Sequence, residues 1–326
     1  MNDIEVIGIG AMNLDRLYRV ERILSDGEAS VEEQVLAPGG SAANTIYGLA
    51  KLGIKTGFVG AIGDDKEGQT LLKDFQNIGV DTSQIKIKKG LPTGSALCLV
   101  NREGKRAVYV SPGANGLLNE QDISLEYLNQ AKVVHLSSFT SEEHLALQKK
   151  ATTSLSPSVM VSFAPGALYA AKGIQALAPL LKRTHILFIN RDEIEQMTGL
   201  DFLTGAQRCL QQGCRIVAIT LGAGIEVVKP SGKKRLATCY VNDGEREHFI
   251  KPEQISKEPA VDTTGAGDAF IAGFLYGLLQ WKDLDKCGLL GDLVARFCIT
   301  QLGARAGLPS LDELSQRYQE RYRRPL

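Results

Sequence analysis

Stretches that read as β-strand and stretches that read as α-helix take turns along most of this 326-residue chain. Short apolar runs suited to buried strands fall at 6–9, 57–59, 133–136, 159–163, 186–189 and 216–220. Helical patterns fill the gaps, at 42–52, 67–77, 142–152, 174–181, 191–198, 203–212 and 266–279. Strands separated by helices pair in parallel, with the crossover helices covering the sheet. The expected fold class is therefore α/β, with a central, mostly parallel sheet and helices on both faces.

Two stretches break this rhythm. Residues 17–36 carry short β-type runs around Ser25-Asp26-Gly27. Residues 93–111 read as a hairpin that turns at Asn101-Arg102-Glu103-Gly104. Short antiparallel strands inserted at about 14–37 and 92–111 predict a small β-sheet lid over one edge. No repeat or low-complexity linker divides the chain, so 1–326 is expected to form a single domain.

Composition excludes several classes. Lys plus Arg and Asp plus Glu both total 37, so no net charge favours nucleic acid or an anionic membrane. The clusters Lys233-Lys234-Arg235 and Arg317, Arg321, Arg323 and Arg324 read as solvated surface. The near-apolar stretch 269–279 is too short to span a bilayer, and residues 4–10 read as a first strand rather than a leader. The six cysteines show no CxxC pair, which fits reduced, buried thiols and a cytoplasmic protein. The four histidines have no metal-like or triad-like spacing.

Chemistry concentrates in Asp262-Thr263-Thr264-Gly265-Ala266-Gly267-Asp268-Ala269-Phe270. Here a glycine turn opens a helix, and the N–H groups of Gly265, Ala266 and Gly267 would form an anion site at its positive end. Asp268 would stand beside a bound phosphate, where a general base takes a proton from an attacking hydroxyl. The same residues also fit an ordinary helix start with a first-turn Asp, so the rest of the chain must decide. Pro38-Gly39-Gly40-Ser41-Ala42-Ala43-Asn44-Thr45 is a second glycine turn entering a helix. Its Asn44 amide can both donate to and accept from a polyol.

Together these segments resemble the two signatures of the ribokinase-like (PfkB) family of carbohydrate and nucleoside kinases. The resemblance covers nearly the whole chain, in order. Gly8-Ile9-Gly10-Ala11-Met12-Asn13-Leu14-Asp15 is similar to the first strand with its substrate-binding Asn/Asp pair. Gly60-Ala61-Ile62-Gly63-Asp64-Asp65 with Gly68 matches a glycine-acid turn, and Ser111-Pro112-Gly113-Ala114-Asn115 the close of the second lid hairpin. Asn190-Arg191-Asp192-Glu193, Thr220-Leu221-Gly222-Ala223-Gly224, and Gly303-Ala304 followed by Pro309 resemble the Asn-x-x-Glu motif, the nucleotide loop and the C-terminal loop.

The resemblance implies an ATP-dependent kinase that transfers the γ-phosphoryl group to a primary hydroxyl by in-line attack, with Asp268 as base and Gly265, Ala266 and Gly267 as anion hole. It assigns Asn13, Asp15, Gly39, Gly40 and Asn44 to the acceptor, and Asn190, Thr220, Gly222, Gly224 and Thr264 to the nucleotide. Glu193 and Asn190 would order Mg²⁺ through water, although the same pair fits an N-terminal capping box equally well. Asp262 and Thr264 would help hold K⁺, as in ribokinases. The lid would close over the sugar, and related folds dimerise through it. An alternating apolar outer face at Leu97, Leu99, Val108 and Val110 would suit such a homodimer, and the same alternation could instead simply cover the substrate.

The acceptor stays open. Ribokinases commonly carry Lys where this chain has Ser41, and Ala164 stands where fructose and ketodeoxygluconate kinases show Asp. A pentose or related sugar leads. The alternative is an adenosine-type nucleoside: Gly39-Gly40-Ser41-Ala42-Ala43-Asn44 also resembles the corresponding segment of nucleoside kinases, and Tyr18, Tyr109 and Phe139 could wall the base, though each fits ordinary packing equally well. A catalytically silent regulatory protein is the alternative of another class, and the intact Asp268 argues against it. A dinucleotide-dependent oxidoreductase is disfavoured, because Gly8-Ile9-Gly10 lacks the third glycine and the ribose-binding acid.

Overall fold

The structure, a computed structural model, describes residues 4–101, 106–228, 234–251 and 260–326. Its strands are β1 Val6–Ile9, β2 Asn13–Val20, β3 Val31–Gly39, β4 Thr56–Gly63, β5 Asp81–Lys88, β6 Gly94–Asn101, β7 Arg106–Ser111, β8 Val133–Ser137, β9 Met160–Ala164, β10 Ile186–Asn190, β11 Ile216–Val228, β12 Lys234–Asn242 and β13 Glu247–Ile250. Its helices are α1 Ser41–Lys51, α2 Lys66–Asn77, α3 Leu125–Leu128, α4 Glu142–Ser154, α5 Gly166–Ala170, α6 Gly173–Arg183, α7 Arg191–Thr198, α8 Phe202–Gln211, α9 Ala266–Leu279, α10 Leu284–Cys298 and α11 Leu311–Tyr322.

Nine strands form one sheet in the order β13-β12-β11-β10-β9-β8-β1-β4-β5. Strands β11 through β5 in that order are parallel, and β12 and β13 add an antiparallel edge. Side chains alternate across it as the pleat requires. Val6, Val133, Ile186 and Ala218 pack into one apolar layer with α1, α2, α9, α10 and α11. Their neighbours Ile7, Val134, Leu187 and Val217 pack into the other, with residues of α4, α6, α7 and α8. Apart from the end of β11, each predicted strand and helix is found within a few residues of its expected bounds. Strands β5 and β13 were not expected; β5 is polar and mostly half-buried. Residues 216–220 are only the first part of β11, which continues through a register shift between Thr220 and Ile225.

A second sheet of four strands, in the order β3-β2-β6-β7, forms the anticipated lid. Its register corrects the expected apolar outer face. Ala96 pairs with Val110 and Cys98 with Val108, while Leu97 pairs with Tyr109. Asp15 pairs with Ala37 and Ala96, so Val108 and Val110 lie on the face of Asp15, and Leu97 and Leu99 on the opposite face. The hairpin turn expected at 101–104 and Lys233 of the basic cluster lie, wholly or in part, outside the described residues.

The close approach of α1 and α9 sets the site. Helix α9 is buried from Ala269 through Gly277, and it packs on α1 where Gly48 meets Ala272. A Cβ at Gly48 would lie 2.9 Å from Cβ of Ala272, so only glycine permits this spacing. One turn toward the N-terminus of each helix stand Asn44 and Asp268.

Candidate active site

Gly40 precedes α1 and Gly265 precedes α9, each with positive φ, 97° and 76°. A side chain at Gly40 would run into the carbonyl of Ala11, 2.1 Å from the Cβ position, and one at Gly265 into Ala304, 2.4 Å away. Both turns therefore need glycine for conformation and for room. They bring two helix N-termini together near the carboxyl end of β1, where α/β sheets bind ligands. The N–H of Ala42 donates to Ser137 Oγ at the end of β8, 3.0 Å away, fixing α1 on the sheet edge.

Asp268, half-buried in the first turn of α9, is gripped from α1. Ser41 Oγ donates to its Oδ1 at 2.7 Å and Asn44 Nδ2 to its Oδ2 at 2.8 Å. Thr45 Oγ1 reaches the Asp268 carbonyl at 3.4 Å. Two charge-assisted bonds hold the carboxylate in one orientation. In the adjacent turn the Ala266 N–H donates to the Thr263 carbonyl at 3.2 Å. Gly267 is exposed, and a Cβ there would meet nothing within 4 Å.

The acceptor candidates lie where the lid meets this turn. Asp15 is buried against Gly39, and its Oδ1 has no hydrogen-bond partner. Burial pushes its carboxyl from 3.8 to about 7, opposed by the charge of Arg305 and reinforced by that of Asp268. Asn13 is also buried, and its Oδ1 accepts from Asn115 Nδ2 at 3.0 Å. Asn115 clamps the Met12 backbone as well, accepting from its N–H and donating to its carbonyl.

Of the aromatic wall expected for a nucleobase, Tyr18 and Tyr109 face away. Tyr18 pairs with Gln34 and Leu99, Tyr109 with Leu97, all on the lid face opposite Asp15. Phe139 is buried and stacks on His144, ring centroids 4.6 Å apart. Sequence reasoning erred on the tyrosines because it had no register for the lid.

The nucleotide candidates occupy the neighbouring edge. Asn190 ends β10 directly beside Thr220 of β11. Asn190 Oδ1 accepts the Glu193 N–H at 2.8 Å, and Glu193 Oε2 accepts the Asn190 N–H at 3.1 Å. The pair is thus a capping box. Gly222 and Gly224 have φ of 62° and 107° in the register shift of β11. Asp262 is buried and ties two loops, accepting from the N–H of Thr264 and of Gly303, each at 2.9 Å. The Cys298 thiol donates to the carbonyls of Thr264 and Ala304, at 3.6 and 3.4 Å. All six cysteines are buried and free.

Sequence reasoning missed three contributors. Ser41 was read as a departure from lysine and as part of a nucleoside-kinase-like segment, with no contact assigned to it, yet it holds Asp268. Asn115 was noted within a segment without a role. Arg305 directly follows the flagged Gly303-Ala304 pair, and it donates to Asn44 Oδ1 at 2.9 Å. Its position beside that loop was the available signal.

A carboxylate steadied over a glycine turn, beside buried polar residues of the small sheet and a strand edge with further glycine turns, is the equipment of a phosphotransferase with an alcohol acceptor. Comparison with known proteins agrees. The pfkB family carbohydrate kinase model matches residues 1–311, and the chain belongs to that family. It is 39% identical over 262 residues to an uncharacterized sugar kinase of Archaeoglobus fulgidus, covering 80% of this chain and 98% of that one. It is 30% identical to an ATP-dependent ribose-1-phosphate kinase of Halopiger xanaduensis, covering 98% and 99%. The fold matches the crystal structure of a Thermotoga maritima ribokinase with a TM-score of 0.80, at 24% identity, over 97% and 99% of the two chains. Among the described residues no helix is long and apolar enough to cross a membrane.

Proposed function

We propose that the chain phosphorylates a primary hydroxyl of a pentose unit with ATP, using Asp268 as general base. The observation that carries this is the carboxylate of Asp268 held between Ser41 and Asn44 at the N-terminus of α9. The Ser41 hydroxyl can rotate away and yield Oδ1 to an incoming substrate hydroxyl, while Asn44 keeps the other oxygen in place. The deprotonated oxygen then attacks the γ-phosphorus in line as the bond to the ADP oxygen breaks. The glycine turn at 265–267 receives the charge of the moving phosphoryl group. Gly267 supports this reading, since its Cβ position is open space.

A pentose ring suits the lid. Asp15, with an unpartnered buried oxygen, and Asn44 offer carboxylate and amide groups to adjacent ring hydroxyls. The outward tyrosines weigh against a nucleobase. The Halopiger relative acts on ribose-1-phosphate, so a pentose phosphate belongs among the acceptors to test. Magnesium would arrive with the nucleotide phosphates, since it keeps several waters and takes few direct protein ligands. Asn190 and Glu193 would orient its waters. Potassium is assigned no step; Asp262 binds two backbone N–H groups, and stimulation by K⁺ is read in the same assay.

The outer lid face, with Leu36, Leu97 and Tyr109 exposed, is the surface for a homodimer. The test of function is coupled ADP release with Mg²⁺-ATP against ribose, ribose-1-phosphate, other pentoses, hexoses and nucleosides. Turnover confined to pentose acceptors supports the reading. Turnover of nucleosides alone would replace the acceptor, and silence across the panel would refute the proposal.

A further inference from the structure

Arg305 is buried beside Asn44 and Gly39, 6% exposed, and its guanidinium uses all three nitrogens. Nε donates to Asn44 Oδ1 at 2.9 Å, Nη1 to Asp74 Oδ2 at 2.7 Å, and Nη2 to the Gly39 carbonyl at 3.2 Å. The rings of Tyr47 and Phe75 lie against it, each centroid 5.1 Å away. Burial lowers its pKa, and Asp74 is the main group opposing that loss. A buried ion pair gains little stability over apolar packing of the same volume. Such an arrangement calls for another reason, and its partners supply one.

We infer that Arg305 is a positioning residue that fixes the amide of Asn44 toward the base and holds the root of lid strand β3 at Gly39. A primary amide has two orientations of similar shape. With Nε of Arg305 on one side, only the Asn44 oxygen can face it, so Nδ2 must face Asp268. The flipped amide would set NH₂ against the Arg305 N–H and oxygen against the carboxylate. Asp74 on α2 holds the guanidinium from the far side. The line Asp74–Arg305–Asn44–Asp268 thus links α2, the C-terminal loop, α1 and α9. Lysine cannot replace this fork, because it offers a point charge on a flexible stem.

The inference rests on Asp268 being the base, and the experiment separates the two. Steady-state kinetics are measured for wild type, Arg305→Met, Arg305→Lys, Asn44→Ala and the double variant Arg305→Met/Asn44→Ala. Misplacing a catalytic contact by about 1 Å costs on the order of 100-fold. Arg305→Met is therefore expected to lower kcat by about 10- to 100-fold with the nucleotide KM unchanged, and Arg305→Lys to recover little. The double variant should be no worse than the poorer single, since both act through one amide. Losses that multiply, or recovery by lysine, would overturn the inference while leaving the base in place. Asp268→Asn, measured alongside, would instead overturn the base if it kept kcat within tenfold of wild type. If Arg305→Met fails to fold, Asp74→Ala enters the same cycle, and an unchanged kcat there overturns the inference. A crystal structure of the surviving variant decides independently of turnover: Asn44 still donating to Asp268 in an unaltered position would refute it.

Discussion

Replacing Asp268 with asparagine separates catalysis from folding, because the structure lets the new amide keep its contacts with Ser41 and Asn44. With its oxygen toward Asn44 Nδ2 and its NH₂ toward Ser41, the substituted side chain bonds to both neighbours if the serine hydroxyl turns from donor to acceptor. Two charge-assisted bonds become neutral ones, each weaker by about 1 kcal/mol. Relief from keeping a half-buried charge offsets part of this. The net change in stability is about 1 kcal/mol, which moves Tm by only about 2–4 °C or less in a chain of this size. Catalysis has no such compensation, since an amide cannot take a proton. Loss of a general base costs about 10²–10⁴ in rate, or about 3–5 kcal/mol of barrier. Coupled ADP release gives kcat and thermal unfolding gives Tm on the same preparation. A variant that folds normally and keeps kcat within tenfold of wild type would refute Asp268 as base.

Gly267→Ala should fold as well as wild type or slightly better, by up to about 1 kcal/mol, because the Cβ enters open space and helps the helix. Its turnover should fall if the proposed reading holds and the phosphoryl group passes over this turn; full activity would remove the turn from the anion hole. Asp15 titrates near 7 in the fold and near 3.8 when unfolded, so the unfolded chain loses its proton first as pH rises. Stability from this group is complete below about pH 4 and is lost between about pH 4 and 7, by at most about 4 kcal/mol. Asp15→Asn should therefore gain on wild type across that window in ligand-free melts, and parallel curves would refute the perturbation. Leu97→Glu on the outer lid face should lower the mass in light scattering if the lid pairs two copies, and an unchanged dimer would place the interface elsewhere.

Much of the site was legible because the chemistry is local in sequence. Gly265 through Asp268 are adjacent, and Asn190 and Glu193 are one helical turn apart, so spacing alone set them on a shared helix end. Contacts between distant segments were not legible. Ser41 and Asp268 are 227 positions apart, and Arg305 and Asn44 are 261 apart. The lid failed for another reason: its alternation was visible, but a period of two leaves the pairing free, and a one-residue slip exchanges the faces. Whether Tyr109 and Val108 look inward or outward is therefore open from the sequence, and the register places them on opposite faces.

The sequence by itself determined the layered α/β architecture, because alternating strand and helix patterns with short connections admit few other arrangements. It also determined the two glycine turns, since Gly40 and Gly265 hold backbone angles that other residues rarely adopt. Only the tertiary structure decided which side chains grip the base, which lid face looks inward, and that Arg305 stands behind Asn44. Those depend on how closely α1 and α9 pack at Gly48 and Ala272 and on the register of β2 against β6, and neither is encoded in any one segment.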